Sequence, residues 1–175
     1  LGLGIYRFYV AIQNVDNQVI VFTDGISISQ NGRTASIRWT DIRAVFQRQY
    51  RYRQGLIVLY DQHYYPIEAK NGGSVTVDKT YAKIGDLGAA IQTAVTRVYM
   101  PQDFDGLRRG EGVTFGPFVV RPDALVYGSN IFDWKELASV GIWQSRIRIT
   151  RKKIFGLTNA SPDMSTIPNL HLFFT

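Results

Sequence analysis

Ile37-Arg38-Trp39-Thr40-Asp41-Ile42-Arg43-Ala44-Val45-Phe46 is the stretch on which the reading of this chain turns. Strand-like alternation at Ile37 and Trp39 runs into a charged turn, then into Ile42, Val45 and Phe46. Much later the chain does it again, as Ile131-Phe132-Asp133-Trp134-Lys135-Glu136-Leu137-Ala138-Ser139-Val140. In both copies a branched aliphatic stands three residues after the Trp and a Val six residues after it. A strand-turn signal precedes each Trp: Phe22-Thr23-Asp24-Gly25-Ile26 in the first copy and Arg121-Pro122-Asp123-Ala124-Leu125 in the second. A repeated Trp corner predicts two copies of one small β module, with Trp39, Ile42, Val45 and Trp134, Leu137, Val140 as the core corners.

Outward from the first corner, residues 6–13 (YRFYVAIQ), 19–22 and 35–39 read as strands, rich in aromatic and β-branched residues. Asp24-Gly25 and Asn31-Gly32 read as tight hairpin turns in which Gly takes the positive φ. Residues 47–54 (QRQYRYRQ) alternate, and the reading sets Tyr50 and Tyr52 toward the core, opposite Arg51 and Arg53. Residues 81–99 change period: Ile84, Leu87, Ile91, Val95 and Val98 recur at helical spacing. Thr80 or Asp78 is the expected cap of that helix and Pro101 its end. Gly85 and Gly88 weaken it by up to about 1 kcal/mol each. Residues 101–112 (PQDFDGLRRGEG) then read as a linker between a first module, 1–100, and a second, 113–175. In the second, Ile142, Ile147 and Ile149 form the apolar set of an alternating stretch. Pro168, Leu170, Phe173 and Phe174 begin a second helix that stops short, and the lack of an initial Met suggests a fragment.

The chain has 175 residues, no Cys, and a net charge of +6. Absence of Cys excludes disulfides, thiolate metal sites and Cys nucleophiles. The basic balance favours acidic partners: an acidic protein face, anionic lipid or nucleic acid. No apolar run reaches the roughly 18 residues of a membrane span.

The hairpins, the Trp-x-x-Ile/Leu-x-x-Val corner and the closing amphipathic helix together resemble a pleckstrin-homology (PH) type module. The order of elements, including YRFYVAIQ and FTDGISI, is similar to an uncharacterised family of bacterial tandem PH-like proteins. The resemblance implies a mainly β, α+β fold: two bent β-barrels, each closed by a C-terminal amphipathic helix, the second truncated. It implies no catalytic activity.

Nor do the residues spell a reaction centre. His63 and His171 are the two histidines, each read as structural. Asp103, Asp105 and Glu111 miss the spacing of a calcium loop, and no nucleophile elbow, phosphate loop or zinc-protease signature appears. The expectation is no enzyme, no cofactor, no metal and no small-molecule substrate. The site candidates are basic: Arg48, Arg51 and Arg53 in the first half, and Arg146, Arg148, Arg151, Lys152 and Lys153 in the second. The function expected is a binding or scaffolding module that docks on a protein partner or a membrane-associated assembly, in the cytoplasm or on the cytoplasmic face of a membrane. The alternative is anionic-lipid or nucleic-acid binding through the basic strands, with nucleic acid the last choice.

Overall fold

In the computed structural model, residues 9–14, 17–54, 57–152 and 162–175 are described, with side chains for 17–50, 62–152 and 162–175. Strands β1 (Tyr9–Asn14), β2 (Asn17–Val21), β3 (Gly25–Gln30) and β4 (Arg33–Arg38) form an antiparallel meander in sequence order. The β3–β4 turn is Asn31-Gly32 with φ of 52° and 74°, the double positive φ of a two-residue hairpin. Gly25 differs from the expectation. Its φ is not positive, and it is buried where an added Cβ would lie 2.5 Å from the Ile37 carbonyl oxygen. Close strand approach, not turn geometry, demands glycine there.

After β4 comes a 3₁₀ turn, Trp39–Asp41, followed by β5 (Ile42–Val45), β6 (Arg48–Gln54), β7 (Ile57–Ala69) and β8 (Ser74–Val77). The long β7 pairs with β6 along its first part and with β5 and β8 along its last. Helix α1 (Ile84–Arg108) covers this half with Leu87, Ile91 and Val95, all buried with Trp39, Ile42, Val45, Tyr65 and Ile67. Lys83, at φ 51°, precedes it with no side-chain cap, while Asp78 is spent on the N–H and hydroxyl of Thr80.

The second half is a shorter meander, β9 (Val113–Phe115), β10 (Phe118–Val120), β11 (Ala124–Tyr127) and β12 (Asn130–Asp133), then a hairpin, β13 (Leu137–Trp143) and β14 (Arg146–Arg151). A 3₁₀ turn, Met164–Thr166, and helix α2 (Leu170–Phe173) complete it. Phe173 lies against Phe118 and Phe115, with ring centroids 5.1 and 5.5 Å apart.

The Trp corner recurs bond for bond. Phe22 N–H donates to the Gly25 carbonyl and Arg121 N–H to the Ala124 carbonyl, both at 2.8 Å. Trp39 N–H reaches Asp24 O at 3.0 Å and Trp134 N–H reaches Asp123 O at 3.2 Å. Each indole Nε1–H donates to the carbonyl two residues before that Asp: Phe22 at 3.1 Å and Arg121 at 2.9 Å. Asp41 O and Glu136 O accept the N–H of Lys70 and Lys152. A register shift follows each corner, between Ile42 and Ala44 and between Leu137 and Ser139.

The two barrels closed by helices are not what the chain builds. Among the described residues there are four sheets, none closed into a barrel. The corners are the reason. Between β4 and β5, and between β12 and β13, the chain turns at a Trp, so β4 pairs with β3 alone and β12 with β11 alone. Nor does each half own a closing helix, since α1 is the one long helix among the described residues and α2 spans only four residues. Pro101 does not end α1. The helix continues to Arg108, and Tyr99 and Met100 pack on the second core. It stops where Gly110, at φ 85°, follows the last turn, the glycine signature of a helix C-terminus.

Candidate functional site

The β13–β14 hairpin carries the outward-facing chemistry. Its register pairs Val140 with Ile149 and Ile142 with Ile147, which puts these four on one face. Ile147 and Ile149 fill the core, whereas Ile142, nearer the tip, is 48% exposed. The other face pairs Gly141 with Arg148 and Trp143 with Arg146. Trp143 is 60% exposed. Glycine opposite Arg148 leaves room for that guanidinium to lean along the strand, and it lies 6.0 Å from the Trp143 ring centroid, within cation–π range. Arg146 and Arg148 are exposed and form no ion pair among the described residues. The tip is held firmly: Gln144 and Ser145 take φ of 50° and 61°, Met164 N–H donates to Ser145 O, and Ile147 N–H donates to Pro162 O. A rigid ledge of one Trp and two guanidinium groups results.

The other basic candidates are placed differently. Arg151 is half-buried; its guanidinium lies 4.9 Å from the Phe132 ring and donates to Ile131 O at 3.3 Å, tying β14 to β12. It is a structural link rather than an open contact. Lys152 is exposed beside the second corner, and Lys153 lies outside the described residues. In the first half, Arg48 is exposed on β6 opposite Tyr64. Arg51 and Arg53 stand on the same strand opposite Asp61 and Val58, and their side chains lie outside the described set. Tyr50, expected to face the core, is 57% exposed and meets Tyr64 edge-on at 5.4 Å. Tyr52's side chain falls outside the described residues.

The corner residues divide. Trp39, Ile42 and Val45 are buried, Leu137 is buried, Val140 is half-buried, and Trp134 is 38% exposed. His63 is half-buried on β7. His171 Nδ1 lies 3.0 Å from the Thr96 hydroxyl, joining α2 to α1. Asp103 and Asp105 belong to α1, and Glu111 is held by Arg109 at 2.7 and 3.0 Å, which lowers its pKa. Among the described residues no three metal-binding side chains gather, and no helix is long and apolar enough to cross a membrane.

Trp143 was missed by the sequence reading, and strict alternation misplaces it: counted by twos, it falls in phase with Ile147 and Ile149. Only the hairpin register, which pairs Trp143 with Arg146, puts it on the arginine face.

Fold and ledge together define a β-rich protein with one long helix among its described residues and an exposed Trp–Arg surface. The chain belongs to a family of unknown function, DUF6585, whose model matches residues 1–175. No curated protein matches it.

Proposed function

We propose that the protein is a non-catalytic binding module that docks on an acidic protein surface through the β13–β14 hairpin. The observation that carries this reading is Trp143, largely exposed on a rigid hairpin and flanked by Arg146 and Arg148, which form no ion pair among the described residues. Trp and Arg are the side chains most enriched among interface hot spots, and a strand of fixed geometry loses little entropy on binding. The net charge of +6 steers such a surface toward acidic partners. On this reading the two halves are two copies of one meander–corner–hairpin unit, of which the second is turned to binding. The setting that goes with it is the cytoplasm or the cytoplasmic face of a membrane.

A second reading uses the same ledge on an anionic lipid surface. Ile142 and Trp143 at the tip favour it, because Trp suits the membrane interface and each nearby cation adds about 1 kcal/mol. A photo-crosslinking residue at exposed Ser139, on the Trp143 face of β13, introduced in the native cell, separates the two. A covalent adduct with one acidic protein, weakened at least about tenfold by Arg148→Glu, is the expected outcome. Absence of any protein adduct, together with sedimentation on phosphatidylserine vesicles, hands the ledge to the lipid reading.

A further inference from the structure

The two Trp corners share their bonds but not their cover. α1 runs along the first, leaving a cleft of about 230 Å³ whose lining includes Trp39, Phe22, Ala90, Ala94 and Arg97, and Trp39 is 2% exposed. Trp134 is locked by the same hydrogen bonds, yet among the described residues no helix lies over it and it takes no part in the second core. A tryptophan fixed in place and left uncovered, in a frame whose twin seats a helix, is a preorganised surface.

We propose that the Trp134 corner is a docking site for an amphipathic α-helix of a partner protein, seated as α1 is seated on Trp39. Two exchanges define that helix. Phe22 lines the first cleft beside Arg97; its counterpart in the second corner is Arg121, exposed and without an ion pair among the described residues. Lys135, also exposed, takes the place of Thr40 next to the indole. Of the nearby carboxylates, Asp133 accepts the Lys135 N–H, and Asp123 and Glu136 stand where Asp24 and Asp41 stand in the corner that α1 already covers. The partner helix therefore presents small side chains where α1 has Ala90 and Ala94, and a carboxylate where α1 has Arg97. A second copy of this chain does not fit, because the matching face of α1 is already occupied and its Arg97 would oppose Arg121. The site is separate from the hairpin ledge, since Trp143 lies at the far end of β13.

The test titrates two synthetic peptides of residues 84–100, one unaltered and one carrying Arg97→Glu, into the full chain with Trp143→Phe, and follows binding by isothermal titration calorimetry. The Arg97→Glu peptide should bind about tenfold more tightly than the unaltered one. Arg121→Glu in the protein should reverse that order, and Trp134→Ala should abolish binding. The proposal is overturned if neither peptide saturates by about 1 mM, if Arg121→Glu leaves the order unchanged, or if Trp134→Ala binds as before. Arg121 is exposed, so the charge reversal is readable even where the Trp134 substitution harms folding.

Discussion

Two glycines three residues apart in α1 have opposite meanings. Gly85 is exposed, with nothing near the place of a side chain, whereas Gly88 is buried so close beneath the Tyr65 ring that a Cβ would enter it. Alanine is favoured over glycine in a helix by up to about 1 kcal/mol. Gly85→Ala should therefore stabilise the protein by about 0.5 kcal/mol or more in urea unfolding. Gly88→Ala should destabilise it by about 1–3 kcal/mol, because Tyr65 is buried and has no free space to retreat into. Equal effects from the two would mean that Tyr65 does not pack there. In the sequence both looked like the same local weakness. Only the ring above Gly88 tells them apart, and that ring comes from β7, many residues earlier in the chain.

At the scale of an element, α1 was legible in its first part and illegible in its last. The spacing of Ile84, Leu87, Ile91 and Val95 announces an apolar stripe, and the last three are buried. Past Met100 only Gly106 is buried, with Asp103 and Leu107 half-buried and Phe104 exposed, so the end of the helix carries no apolar stripe to read. Asp103 lies on this extension, and burial raises its carboxyl pKa. A raised carboxyl pKa means that folding favours the protonated form. The associated stability is present below the unfolded-state pKa and is lost as pH rises through the higher folded-state value. Asp103→Asn should then raise the melting temperature relative to the parent at pH 7 and give no gain near about pH 3, where the parent carboxyl is itself neutral. An equal difference at both pH values would contradict this account.

The whole molecule is held by contacts that cross its midline. Asn169 N–H donates to Val45 O at 2.8 Å, and Val45 N–H donates back to Asn169 Oδ1 at 2.9 Å. Thr96 meets His171, and Tyr99, which donates to Ile42 O in the first half, also packs on the second core. Asn169 also sits at φ 51°, a conformation that Asn tolerates better than Ala. Asn169→Ala should cost about 2–3 kcal/mol, from a buried N–H left unpaired plus backbone strain. Asn169→Gly should recover the strain alone. Thermal unfolding of the parent should be one transition, coincident by far-UV dichroism and tryptophan fluorescence. A second-half transition that precedes the first, unaffected by Asn169→Ala, would show that the midline contacts do not couple the two cores.

The hairpins, the double positive φ at Asn31-Gly32, the amphipathic face of α1 and the recurrence of the Trp corner were determined by the sequence itself. Turn chemistry, alternation and helical period act between residues a few positions apart, so they can be read without knowing the rest of the molecule. Tertiary structure alone decided that the sheets stay open, that α1 passes Pro101 to reach a second core, and that Trp39 is buried while Trp134 is not. Those outcomes depend on which distant surface arrives beside a residue. Two corners with the same local bonds differ in exposure because α1 runs along one of them, and among the described residues no helix runs along the other.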